Sequence, residues 1–353
     1  MAMRTLLSGD MPRSRILALL LVLIFLGLLL APFLFPGTRS LDTAARICIF
    51  IALVASYDLL LGYTGIVSFA HTLFFGMGAY GVALASEHMG RGFDALFVGT
   101  LAGALVAAIV ATLIGLFSLR VKAIFFAMIT LAVASAFAVL VSQLSTLTGG
   151  EDGLNYQIPR ALTAAQRLVD EPVLGVRING KLVNYYVVFF GSLVLFLGLL
   201  RIVNSPFGRV LQAVRENDFR AEAIGYRVVY FRTLATCLSA VVAALAGSLF
   251  AIWLRYVGPD TTLSFEIMID ILLIVVIGGM GTLYGAVIGS TLFILAQNYL
   301  QDLMGVVHDQ LSGIPVIGDV FDPNRWLLWL GVLFVLSVYF FPTGIVGRLR
   351  RHG

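Results

Sequence analysis

Apolar residues in this chain come in runs of roughly 17–25, the length an α-helix needs to cross about 30 Å of hydrocarbon at 1.5 Å per residue. The runs are solidly apolar and do not alternate, so they spell helices and not barrel strands. Of 353 residues, 60% are hydrophobic and 12% charged, about half the charge of a soluble domain. The expected fold is all-α: one polytopic transmembrane helical bundle over residues 1–353. Ten spans can be drawn, near 16–35, 46–62, 66–86, 94–118, 122–146, 183–203, 233–254, 264–281, 283–302 and 326–341. The first run is too long for a signal peptide and shows no clear cleavage site, so a retained span is expected.

Charge sets the orientation. With the N-terminus in the cytoplasm, the inner segments hold Arg4, Arg13 and Arg15, then Arg120 and Lys122, then six arginines between 201 and 232, then Arg348, Arg350 and Arg351. That is fourteen of the 23 Lys and Arg residues, the positive-inside pattern. Most acids fall outside, among them Glu151, Asp152, Asp170, Glu171, Asp302, Asp309, Asp319 and Asp322. Both termini are then cytoplasmic, which requires an even number of spans. The net charge of +4 lies along membrane-flanking loops and implies a bilayer, with no case for nucleic acid.

Two outer loops are large, 148–182 and 304–325. In the first, Val173–Asn184 alternates around Asn179-Gly180, the pattern of a small β-hairpin. A faint internal echo links Phe75-GMGAYG-Val82 to Gly279-MGTLYG-Ala286. Glycine-interrupted spans at matching places in two inverted halves mark translocation sites in transporters; coincidence among 36 glycines is the other reading.

The loop 201–232 is the polar exception in an oily chain. Ser205 can cap a helix with Pro206 in its first turn. Phe207, Val210, Leu211 and Val214 recur at helical spacing, Asn217-Asp218 can start a second short helix, and Gly225 supplies a stop. Such a segment lies at the membrane face. It either docks a partner there or lies flat on lipid, held by its arginines; the residues alone weigh these equally.

At membrane depth, Gly62, Gly65, Gly76, Gly78 and Gly81 allow close packing or a broken helix, with Ser68, His71 and Thr72 adding polar groups. Asp58 and Asp270 stand inside apolar runs, where an isolated charge costs about 2.5–3.5 kcal/mol on insertion scales. They suit an ion relay, a polar lining or a structural bond. Catalytic signatures are missing. The four histidines are scattered, and the cysteines, Cys48 and Cys237, fall in apolar runs; no metal or cofactor is expected. Gly175–Lys181 imitates a P-loop but is followed by Leu182 in place of Ser or Thr. Any ATP would be hydrolysed by a partner.

Several stretches resemble one family: Leu61-GYTG-Ile66, Ser68-FAH-Thr72, Phe75-GMGAY, Gly115-LFSLRVKAIFFAMITLA, Thr148-GGEDGL, Ser205-PFGRVLQAVRENDFRAEAIG, Ser239-AVVAALAG, Ile277-GGMGTLYGAVIG and Phe341-PTGIVG. In order and spacing the chain is similar to the permease subunits of branched-chain amino acid ABC importers, a family that also includes urea, amide and aromatic-acid importers. The resemblance implies a bacterial inner-membrane subunit working with a homologous second permease, two ATP-binding subunits and a periplasmic substrate-binding protein. It further implies an ATPase-coupling role for Arg209, Ala213, Arg215, Glu216, Asn217, Ala221, Glu222, Ala223 and Gly225. Asp58 departs from the Asn common in the family. Ser68, His71, Thr130 and Asp270 are the candidate pathway residues. A secondary transporter or channel driven by an ion gradient is the alternative.

Overall fold

The computed structural model describes residues 14–35, 37–118, 123–166, 178–311, 322–341 and 343–351. Its long helices are α1 (Arg15–Leu34), α2 (Thr38–Thr64), α3 (His71–Met89), α4 (Phe93–Ser118), α5 (Ala123–Gln143) and α6 (Gly180–Val203). Two short helices come next, α7 (Pro206–Glu216) and α8 (Asp218–Ala223). The bundle is completed by α9 (Val228–Leu254), α10 (Phe265–Gly278), α11 (Leu283–Leu311), α12 (Trp326–Phe340) and α13 (Gly344–Arg351). Among the described residues, nine helical stretches are long and apolar enough to cross a membrane. The third expected span, α3, is 19 residues long and is not among those nine. α4 and α9 enclose it, and little of it would meet lipid.

Two helices organise the bundle. α2 packs on α6, α9 and α11, and α9 packs on α2, α3 and α4. The α3–α9 contact is backbone to backbone: a Cβ on Gly78 would overlap the Ala244 carbonyl, and one on Gly247 would overlap that of Phe75. Ser248 Oγ donates across the same seam to the Gly78 carbonyl at 3.1 Å. Without lipid-to-core contrast to drive them together, membrane helices gain from such close van der Waals contact. The glycines of Phe75-GMGAYG are thus packing residues inside α3. Its echo at 279–285 falls instead on the break between α10 and α11, so the two copies occupy different structural places.

The third span differs from expectation. The helix starts at His71, not near residue 66, and Ile66–Ala70 is non-helical. Gly65, at φ +73, ends α2, a left-handed cap that side chains disfavour. The hairpin is also corrected. Asn179 is the N-cap of α6, its Oδ1 accepting from Leu182 N at 3.3 Å. The same Asn-Gly pair that can turn a hairpin here satisfies a helix start. The rest of that segment, with Asp170, Glu171 and most of the P-loop look-alike, lies outside the described residues, as do Arg120, Lys122 and Asp319. α11 runs to Leu311, so the start of the expected 304–325 loop is helical.

The outer cap is built from 144–166. β1 (Leu154–Asn155) pairs antiparallel with β2 (Tyr256–Val257) just past α9. Tyr156 Oη donates to the Ala251 carbonyl at 2.6 Å. Burial raises that phenol above its ordinary value, partly offset by Arg255. At the same rim Arg39 pairs with Asp302 at 2.6 Å and Lys181 with Asp42 at 3.2 Å.

Candidate functional site

The polar loop folds as a two-helix unit on the arginine-rich face. Ser205 caps α7, accepting from Gly208 N at 3.4 Å, with Pro206 in the first turn. Asn217 ends α7 and caps α8, accepting from Arg220 N at 2.9 Å. Gly225, at φ +98, closes the unit. Leu211, Val214 and Ala221 are buried beneath it. Phe207 stacks on Phe231 of α9 with ring centroids 5.9 Å apart. Arg232 of α9 pairs with Asp218 at 2.8 Å.

The outward side is mixed. Arg209, Glu216, Glu222, Ala223 and Gly225 are exposed. So are two large apolar side chains that spacing alone did not single out: Phe219 is 85% exposed and Ile224 67%. Water disfavours such apolar tips, and exposed apolar residues rimmed by charge mark contact surfaces. The signal was present as two apolar residues in a polar run. Of the nine expected coupling residues, Ala221 faces inward, Ala213 is half-buried, and Asn217 serves as the shared cap.

Arg215 is also exposed, yet its guanidinium reaches back to the bundle. Its guanidinium donates to the Gly62 carbonyl in the last turn of α2. Its stem lies 3.2 Å from where a Cβ on Gly65 would sit, and its Nη1 lies 2.9 Å from that point on Gly281. Asp58 Oδ1, also on α2, accepts from Gly281 N at 2.8 Å. A Cβ on Gly62 would overlap Gly281 N and the Asp58 carboxylate. From below, Gly344 at the start of α13 presses on Gly279. The end of α2, the α10–α11 break, α7 and α13 thus meet at one node. A cavity of about 380 Å³ lined by Gly62, Gln212, Arg215, Glu216 and Gly281 opens beside it. Asp58 is 2% exposed; its Oδ1 is held by the Gly281 N–H, and its Oδ2 is buried without a hydrogen-bond partner among the described residues.

Three pathway candidates gather at the unwound stretch. Thr130 Oγ1 accepts from Phe69 N at 3.0 Å and donates to the Ala127 carbonyl at 2.8 Å. Ser68 Oγ accepts from Ala70 N at 3.3 Å. His71 Nε2 lies 2.8 Å from Ser56 Oγ, with Tyr57 and Phe74 edge-on. All three are buried within the chain. Asp270 stands apart on α10, half-buried, with Gln297 of α11 at 3.4 Å. Among the described residues no three His, Cys, Asp or Glu side chains cluster in a way that could hold a metal.

The profile of the family described as branched-chain amino acid transport system, permease component, matches residues 40–338. The chain belongs to this permease family. It is 27% identical over 301 residues to the high-affinity branched-chain amino acid transport system permease protein LivM of Salmonella typhimurium, across 82% of this chain and 70% of that one. It is 25% identical over 304 residues to the corresponding permease protein BraD of Pseudomonas aeruginosa, across 84% and 91%. A stretch of 128 residues is 30% identical to the autoinducer 2 import system permease protein LsrC of Yersinia pseudotuberculosis, across 34% and 36%. No solved structure matches. With its apolar spans, the permease is a multi-pass protein of the inner membrane.

Proposed function

We propose that this permease is one half of the membrane channel of an ATP-driven importer, and that the α7–α8 unit is the surface an ATP-binding subunit grips. The observation that carries the reading is the exposed pair Phe219 and Ile224, set among Arg209, Glu216 and Glu222 on the arginine-rich face. A lipid-lying helix would present a broad apolar side to the bilayer. Here the apolar side of α7 is already covered by α9 and α2, and the exposed tip is small and mixed. A protein cleft suits it better.

The proposed assembly has a homologous second permease, two ATP-binding subunits and a periplasmic binding protein that meets the outer loops 148–182 and 304–325. Closure of the ATP-binding subunits displaces α7–α8 and rocks the spans between outward- and inward-open states. The proposed substrates are branched-chain amino acids, the cargo in the names of LivM and BraD. In this scheme Ser68, His71 and Thr130 border the pathway once the spans shift, and Asp270 offers a carboxylate to it.

The test is Glu222→Arg together with Gly225→Arg in the full transporter. Uptake is expected to vanish while membrane insertion stays normal. Wild-type uptake in that variant would overturn the reading, and uptake that follows an ion gradient after ATP depletion would replace it with a secondary transporter.

A further inference from the structure

We infer that Arg215 is the positioning residue that ties movement of the α7–α8 unit to the inner end of α2 and the α10–α11 break. The inference rests on the reading that an ATP-binding subunit moves that unit. Among the described residues, α7 is held to its neighbours mainly by apolar contacts, from Phe207, Leu211 and Val214. Such contacts have no direction and allow sliding. The Arg215 bond to the Gly62 carbonyl is different: it is charge-assisted, directional and spans 153 positions of sequence.

Its acceptor is well suited. The last carbonyls of a helix have no intrahelical donor, and a cation there complements the helix dipole. The neighbouring turn of α2 carries Asp58, whose carboxylate holds Gly281 N. Gly62 and Gly281 leave no room for a side chain between these layers, and Arg215 lies against them, its stem beside Gly65 and its Nη1 beside Gly281. A displacement of α7 therefore either carries the Gly62 turn with it or breaks this bond. If the turn moves, the Asp58–Gly281 bond passes the movement to the α10–α11 break. Lysine offers a point charge without the planar fork, so it replaces only part of the contact.

The experiment uses the complete transporter in vesicles, with Arg215→Ala and Arg215→Lys, reading subunit composition, ATP hydrolysis and uptake of labelled leucine separately. Arg215→Ala is expected to keep its ATP-binding subunits and to hydrolyse ATP. Its uptake per ATP should fall about tenfold or more, the scale of one lost charge-assisted hydrogen bond. Arg215→Lys should fall in between. Uptake per ATP equal to wild type in Arg215→Ala overturns the inference. Loss of the ATP-binding subunits from Arg215→Ala also overturns it, because the residue would then be a docking contact. If Arg215→Ala does not fold, Arg215→Met, which keeps the stem but removes the donor, decides in its place: unchanged uptake per ATP there overturns the inference. Failure of the underlying reading looks different: the wild-type chain would not bind ATP-binding subunits at all.

Discussion

Replacing Phe219 with alanine isolates the docking claim, because the side chain does almost nothing for this chain's own fold. With 85% of Phe219 exposed, removing it should change the permease's stability by no more than about 0.5 kcal/mol. Burial in a partner's cleft is another matter. A phenylalanine buries about 200 Å², and at about 25 cal/mol per Å² the exposed share sets a ceiling of about 4 kcal/mol. Ordering and incomplete contact lower this, and about 2 kcal/mol is the reasonable expectation for an aromatic anchor. That is about a thirtyfold rise in Kd. The assay is titration of the purified ATP-binding subunit onto detergent-solubilised permease, with thermal unfolding of each permease as the control. Ile224→Ala, at a site 67% exposed, should show the same change with a smaller effect. An unchanged Kd for Phe219→Ala alongside unchanged stability would refute the placement of the cleft over this tip.

Gly247→Ala should push α9 off the Phe75 carbonyl of α3 and cost about 2 kcal/mol or more by forced separation of a packed seam; thermal unfolding in detergent measures it. Tyr156→Phe removes the bond to the Ala251 carbonyl and should destabilise the outer cap by about 1 kcal/mol, read as faster proteolysis of the 149–166 region. The Tyr156 phenol is raised in the fold, so its contribution is fully present below the ordinary tyrosine value of about 10 and is lost only as pH rises through the higher folded value. Cap protection should therefore be flat through neutral pH, and a loss near pH 7 would contradict the assignment. Cysteine placed at Ser68 should resist a small polar thiol reagent in the resting state, where Ser68 is 1% exposed, and react in another catalytic state. Inertness in every state would remove Ser68 from the pathway.

What the sequence made legible was local or periodic. Ser205, Asn217 and Gly225 act within one helical turn of themselves, so the two-helix unit could be drawn from spacing alone. Apolar run length placed nearly every span. What stayed hidden depends on distant partners. Resemblance marks Arg215 as a coupling residue, but its bond to the Gly62 carbonyl is hidden in the sequence, because that acceptor is brought in only by the fold. In the sequence Asp58 suits an ion relay, a polar lining or a structural bond, and its bond to Gly281 N, 223 positions away, appears only in the fold. The Asn179-Gly180 pair carried two legitimate meanings, turn and helix start, and the long apolar run of α6 on its C-terminal side chose between them. Phe75-GMGAYG was read as either breakage or packing; the break fell just upstream, at Gly65–Ala70, where α2 has run out of helix.

The central claim is that this permease moves solute only when another chain's ATP hydrolysis moves α7–α8. Vesicles holding both permease subunits, with and without the ATP-binding subunits, test it most directly. Uptake of labelled leucine is predicted only with those subunits, ATP and a loaded binding protein all present. Sustained uptake by the permeases alone, with no ATP in the vesicle, would contradict it.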